Sequence, residues 1–558
     1  MGKRITRRTF AKTTILATAG LIAGCSIKNR YDVIIKNGLV LDGFGNPGMK
    51  KDIGIIADMI TVIDNSIGAS ADRIIDASGL VVAPGFIDIH THTDTELLVD
   101  SRGMSKILQG VTTEISGNCG YTPFPLNEDD QKEIDERLFE KYGIHAGWNS
   151  INGFLSALEK NKISMNYATF TGHGSLRGFV VGKNDVPPTT EQMKDMKRRL
   201  EESMDAGSWG LSTGLEYAPG SYASTEELIE LSKVVAANGG IYNTHMRNED
   251  DTLLEAIDEA LRICREANLP LEIAHLKACN KANWYKTEQM LDKVSKAHDT
   301  GLPVNADRYP YIAYGTGLST FLPLSTRQGD TDEIIARLQD KKQLGEIQAY
   351  AESRGERIGG WDRVMISSCR TEANKHWEGR NIKEGAELSG QSEFEFIRNL
   401  LIEERLDAGI VGFAMDEDNL KKVLSSPLVM IGSDGNAVAP EGKLAEGKPH
   451  PRFYGTFARV LGKYCREENC FDLPTAVKKM TTMPAEKVGL KKRGSIQKGY
   501  YADITIFNPQ TVIDKATFVD PHQTAEGIEY VLVNGVITVD QGKHTTKRAG
   551  KVLRHRSG

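Results

Sequence analysis

Short apolar runs recur through the middle of the chain, each ending in polar residues and leading into a stretch of helical period. They are "GFIDIHTH" (85–92), "VTTEISGNCG" (111–120), "YATFTGHG" (167–174), "WGLSTGL" (209–215), "IYNTHMR" (241–247), "LEIAHLK" (271–277), "VNADRYPY" (304–311) and "LVMIGSDG" (428–435). Between them, "TEELIELSKVVAANG" and "DTLLEAIDEALRICREANL" place apolar residues three and four apart, the signature of amphipathic helices. Eight strand-then-helix units predict an α/β fold, a (β/α)8 TIM-like barrel, with its chemistry at the C-terminal ends of the strands.

The two chain ends have another texture. "YDVIIKNGLVLDG", "KDIGIIADMITVI" and "RIIDASGLVVAPG" alternate like short strands, as do "GYYADITIFNP" and "GIEYVLVNGVITV". These predict a small β-sandwich domain built from residues 31–84 and 486–550, flanking a barrel over 85–485. Residues about 325–400 break the barrel rhythm between the seventh and eighth runs. An insertion there falls on the active-site face and is expected to act as a lid.

Composition narrows the class without deciding it. Of 558 residues, 40% are apolar and 26% charged, ordinary for a globular protein. The net charge of -6 and the lack of a basic stripe argue against nucleic acid as a partner. Residues 1–25 carry Arg7–Arg8, an uncharged stretch Thr13–Gly24 and then Cys25. That stretch is too short to span a bilayer and suits a signal peptide. "TRRTFAK" resembles a twin-arginine export signal and "LIAGC" a bacterial lipoprotein cleavage box. They imply a mature chain lipidated at Cys25 and held in the cell envelope on the periplasmic face. Ser26 favours the outer membrane, and the lipid is the expected membrane contact. Cys119, Cys264, Cys279, Cys369, Cys465 and Cys470 form no paired motif, so most read as small buried hydrophobes.

Candidate metal ligands gather at the predicted strand ends. His90 and His92 stand two apart on the first strand and share a face. Cys119 ends the second, His245 the fifth, His275 the sixth and Asp434 the eighth. Nitrogen, thiolate and carboxylate donors suit zinc, and the thiolate argues against magnesium or calcium. Zinc would lower the pKa of water and polarise an amide carbonyl. Asp434 would then carry the proton from water to the departing amine. Lys277 shares the strand face of His275, where its ammonium can meet a substrate carboxylate. His173, ending the third strand, faces substrate, supports the site or is structural; the residues leave these open. Glu216 and Tyr217 are placed to line the pocket, where a glutamate would repel a second carboxylate on the substrate.

"PGFIDIHTHTD", "GNCG", "GLSTGLEYAPGSYAS", "THMRNE", "AHLKA", "YPY", "IGSDG" and "HPRFYGTFARVLG" together resemble the N-acyl-D-amino-acid deacylases (D-aminoacylases) of the amidohydrolase superfamily. The resemblance runs from about residue 31 to the C-terminus. It implies one tightly held zinc on Cys119, His245 and His275, with His90, His92 and Asp434 around a second, weaker position; the residues alone do not rank the two. It implies that Cys119 replaces the carboxylated lysine or glutamate that other branches carry on strand four. It also implies that Tyr309 and Arg452 join Lys277 in gripping the substrate carboxylate. The family pattern has a serine about six residues after Tyr309; this chain has Gly315 and then Thr316.

The expected function is a metal-dependent amide hydrolase that frees a D-amino acid from a small-molecule N-acyl-D-amino acid. The alternatives are a dipeptidase for peptides ending in a D-residue, a cyclic-amide hydrolase, and a non-catalytic envelope binding lipoprotein. The cysteine disfavours the third. The retained ligands and Asp434 disfavour the last.

Overall fold

The computed structural model describes residues 30–555, so the export signal and Cys25 lie outside the described residues. Eight strand positions form the barrel: β1 (Phe86–Asp88), β2 (Val111–Ser116), β3 (Asn166–Thr169, continued by Thr171–Gly172), β4 (Gly210–Gly214), β5 (Ile241–His245), β6 (Leu271–Ile273), β7 (Val304–Arg308) and β8 (Val429–Ile431). Neighbours along this order pair in parallel, as one group of three strands and one of six. The ring closes between its first and last strands through a Thr91–Gly435 bridge and the Asp434 N–H on the His90 carbonyl at 2.8 Å. Nearly every strand residue is buried, because helices cover the outside and side chains fill the inside. All eight predicted runs supply a barrel strand.

Residues from both chain ends build the separate sheet. Arg30–Val40, Met49–Ile56, Met59–Asp64, Ser70–Asp76 and Val81–Pro84 join Ile504–Phe507, Ile528–Val533, Val536–Asp540 and Lys543–His544. These strands hydrogen-bond as one nine-stranded sheet rather than as two separate ones. Val33, Ile35, Ile53, Ile75, Ile504 and Leu532 pack into a core of its own. The final residues return to the barrel, where the Tyr167 N–H meets the Lys551 carbonyl and the Trp209 indole meets that of Leu553.

Two elements cover the barrel mouth. The insertion after β7 is broader than the residues 325–400 expected. It begins with Tyr314–Gly317, which pairs with Val364–Cys369 through the central strand Ala408–Gly412. Leu318, Phe321, Leu338, Ile366 and Leu400 give it an apolar core, so it is a folded body rather than a loop. The second cover was not expected. After α1 (Met104–Ile107) and β2, helix α2 (Glu128–Tyr142) lies over the opening. Its start is set by the Asn127 side chain, which accepts from the Asp130 N–H, and by three acids in the first turn. Gly143, at φ 68°, ends it in the left-handed region. Among the described residues no helix is long and apolar enough to cross a membrane.

Candidate metal centre

Each barrel strand delivers its last side chains to one mouth, and the candidate ligands meet there. Donor atoms of His90, Cys119, His275 and Asp434 lie within 4.8 Å of one another, and those of His245, Glu249 and His275 form a second such group. The Cys119 Sγ is 3.4 Å from the His90 Nε2 and 3.6 Å from the His275 Nε2. The Asp434 Oδ1 is 3.0 Å from the His92 Nε2 and 3.5 Å from the His90 Nε2. The His245 ring centre sits 4.4 Å from that of His275. All six predicted ligands therefore converge.

Three of them occupy strained backbone. Cys119, His275 and Asp434 have φ of 51°, 35° and 51°, a region that costs a residue with a side chain about 1–3 kcal/mol. The strands have ended by these points, and the chain turns sharply to aim each donor inward. Gly214, at the end of β4, explains why the cysteine reaches the centre. A Cβ there would lie 2.1 Å from the Cys119 carbonyl oxygen, so the second-strand turn takes the space that a fourth-strand ligand would need.

The electrostatics of the cluster are mutual. Burial would raise the Cys119 thiol, but the charges of His90 and His92 and hydrogen bonds from His245 and His275 hold it well below its ordinary value. Burial would lower the imidazoles, yet the cysteine and Asp434 bring His92 up to about 9, and Glu249 with Cys119 brings His245 up to about 10. Asp434 is held well below the carboxylate range against its burial, first by Arg452, whose Nη1 is 2.9 Å from Oδ2. A divalent cation fits this set on two observations. The donors are the nitrogen, sulfur and oxygen that zinc takes. The buried Nδ1 of His245 has no hydrogen-bond partner, so a metal could take it in exchange for its proton.

Surrounding contacts orient the ligands. The Asp307 Oδ2 is 3.0 Å from the His90 Nδ1, and the Glu249 Oε1 is 2.8 Å from the His275 Nδ1. The fully buried Lys106, on α1, donates to Asp88 on β1 (2.8 Å), to the Ser433 Oγ and to the Gly435 carbonyl (3.1 Å). It thereby grips both neighbours of Asp434. Sequence reasoning missed Asp307, Glu249 and Lys106. Asp88 and Glu249 do stand at informative spacings, two before His90 and four after His245. Asp307 and Lys106 carry no such mark, because only the closed barrel brings their partners to them.

The predicted substrate residues fall differently. Tyr309, Lys277 and Arg452 all line the cavity, and the Arg452 guanidinium stacks 4.7 Å from the Tyr309 ring centre. The Tyr309 hydroxyl is buried without a partner. Lys277 is not a free ammonium: its Nζ is 2.5 Å from Glu249, so its charge is already met. His173 lies away from the cavity. It opens the helix His173–Val180, fully buried, with its Nε2 2.9 Å from Glu227, in keeping with the structural alternative. Glu216 and Tyr217 line the cavity as expected. Glu216 lacks the expected repulsion, because Arg354 at 3.2 Å and His245 at 3.3 Å compensate it. His450 donates to or accepts from backbone at Ala313 and Arg452, in keeping with a structural role. Thr316 bonds the Tyr217 hydroxyl at 3.3 Å, and Gly315 stands beside Arg452.

Residues 73–539 match the model of the amidohydrolase family. The chain belongs to the amidohydrolase family. It is 36% identical to a D-aminoacylase of Alcaligenes xylosoxydans xylosoxydans over 524 residues, 94% of this chain and 97% of the relative. Two solved structures superpose with a TM-score of 0.79, covering 94% of this chain and all of theirs. One, at 31% identity, is the N-acyl-D-glutamate deacylase of Bordetella bronchiseptica with zinc and a phosphonate mimic of the tetrahedral intermediate. The other, at 34%, is a D-aminoacylase described as having a binuclear metal centre with one-metal activation and second-metal attenuation. The amidohydrolase reading of the strand-end motifs thus holds across barrel and small domain alike.

Proposed function

We propose that this amidohydrolase is a zinc-dependent N-acyl-D-amino-acid deacylase, cleaving the linear amide to a carboxylic acid and a free D-amino acid. The convergence of Cys119, His245 and His275 with Asp434 at one barrel mouth carries the reading. Cys119, His245 and His275 would hold the principal zinc, and His90, His92 and Asp434 a second, weaker one. The zinc supplies a Lewis acid that polarises the amide carbonyl and lowers the pKa of water.

The chain's own residues do the rest. Asp434, kept ionised by Arg452, accepts the proton of the attacking water and delivers it to the amide nitrogen, which leaves only once protonated. Its strained backbone aims the carboxylate at the shared mouth. The Tyr309 hydroxyl and Arg452 receive the substrate carboxylate, the guanidinium flattened against the phenol ring. Lys277 adds positive charge behind them and fixes Glu249 on His275. The covers over the mouth exclude water from the reacting centre.

A panel of N-acetyl-D-, N-acetyl-L- and L-Xaa-D-Xaa compounds tests the reading on the zinc-loaded protein. Turnover of the D-acyl compounds alone supports it; turnover of dipeptides alone would replace it with a D-dipeptidase. From the sequence we also propose export by the twin-arginine route and lipidation at Cys25, which places the enzyme on the periplasmic face of the envelope. Cys25→Ala should move the protein from the membrane to the soluble fraction; continued sedimentation with membranes would refute the anchor.

A further inference from the structure

The cavity above the metal centre has a volume of about 1070 Å³. Sites of roughly 300–1,000 Å³ enclose drug-sized ligands, and an N-acetyl amino acid is far smaller than those. The surplus space has a definite place. On the reading above, Tyr309 and Arg452 receive the substrate carboxylate, at the end of β7 and the start of α3 (Arg452–Arg459). With the amide at the ligand cluster, the acyl group of the proposed pose extends toward the turn after β2, α2 and the insertion, which line the rest of the cavity.

Apolar and charged side chains share that wall. Tyr121, Pro125, Leu126 and Ile134 line it from one side, and Leu406 and Ile410 from the insertion. Tyr121 is a large aromatic left 47% exposed on this surface. The charged groups of α2 that share the lining have opposite charges beside them. Asp130 faces Lys183 at 3.9 Å, and Arg137 is stabilised by the Tyr121 hydroxyl, Asp407 and Glu133. The end of α2 is tethered over the mouth by Lys141 to Glu446, at 3.1 Å, and by Lys443 to the Tyr142 carbonyl. Apolar side chains set between paired charges give a hydrocarbon chain a surface to bury against.

We infer that the enzyme's substrates carry a long aliphatic acyl group, so that it releases a fatty acid as well as a D-amino acid. The inference rests on the deacylase reading above. The chemistry is unchanged: the carbonyl–nitrogen bond breaks, water gives its hydroxyl to the carbonyl carbon, and its proton goes to the amine. What the long chain adds is burial of its methylenes against the wall.

The test is an acyl series (acetyl, butyryl, hexanoyl, octanoyl and lauroyl) on one D-amino acid, with the zinc-loaded full chain. Each buried methylene should raise kcat/KM roughly two- to fourfold up to about the octanoyl compound. Ile134→Asp and, separately, Leu126→Gln should cut the octanoyl-to-acetyl ratio of kcat/KM about tenfold or more. The ratio cancels any loss of folded protein. A flat or falling series with the acetyl compound turned over would overturn the inference and leave the deacylase reading standing. An L-Xaa-D-Xaa dipeptide turned over faster than the octanoyl compound would also overturn it. No turnover of any N-acyl-D compound would overturn both.

Discussion

At the mouth of the barrel the buried ionisable groups face one another; at its floor they face backbone. His90, His92, His245, the Cys119 thiol and Asp434 are all desolvated, yet opposite charges a few ångströms away drive these imidazoles up and the thiol and carboxylate down. At the floor, Lys479 donates to the Ser426 and Val429 carbonyls where β8 begins, and Lys487 to the Pro303 carbonyl before β7. Among the described residues no carboxylate is hydrogen-bonded to either, and burial pushes them down to about 7 and about 8, with the buried Glu272 pulling Lys487 only weakly the other way. The same desolvation thus gives opposite outcomes, and the deciding factor is whether a charge of the other sign lies within reach. A set of charges that hold each other ionised is ready for a cation and a proton carrier. Lysines capping carbonyls only close the barrel.

Removing a ligand should break the contrast most severely. Cys119→Ala should abolish tight zinc binding and turnover together, read by elemental analysis and by rate; full zinc content would refute the ligand role. Asp434→Asn removes the proton carrier but leaves the other donors. It should retain the principal zinc while kcat falls about 10³-fold; near-normal rates would show that another group moves the proton.

Lys106→Met acts on the support of the mouth. It leaves Asp88 buried without its cation, expected to cost about 3–5 kcal/mol of stability. It also frees Ser433 and Gly435 on either side of Asp434, so kcat should fall about tenfold or more with KM and zinc content nearly unchanged. A parallel loss of zinc would instead make Lys106 a support of the ligands.

The smallest effect is sought at the floor. Lys479 has a folded pKa of about 7 against an ordinary 10.5, so the unfolded chain binds more protons between those values. The penalty for burying this lysine is therefore full below pH 7, shrinks as pH rises and is gone above 10.5. Relative to Lys479→Met, the native protein should gain about 2–4 kcal/mol from pH 7 to 10. A pH-independent difference in Tm would mean that the lysine stays charged in the fold.

How far these features were legible depends on their range in sequence. The barrel was readable because each strand announces itself locally, as an apolar run with polar residues after it. The six candidate ligands were readable because they fall at those strand ends, and "GNCG", "THMR" and "AHLK" are informative strings. Lys106 was not, since a lysine on a short helix resembles any surface lysine until Asp88 and Ser433 close around it. Nor was the pairing of Lys277 with Glu249, which turned an expected free ammonium into a compensated one. His173 was left open, because a histidine at a strand end looks the same whether it faces the cavity or Glu227.

By itself, the order of residues determined the barrel, the small sheet from both ends, the candidate ligand set and the amidohydrolase class of chemistry, because hydrophobic period and strand-end spacing are local properties of the chain. Only the tertiary structure decided which charges are spent on one another and which remain for a ligand, how wide the mouth stands, and that α2 roofs it. Those depend on distances between residues hundreds of positions apart, and Coulomb energy and burial are set by distance in space.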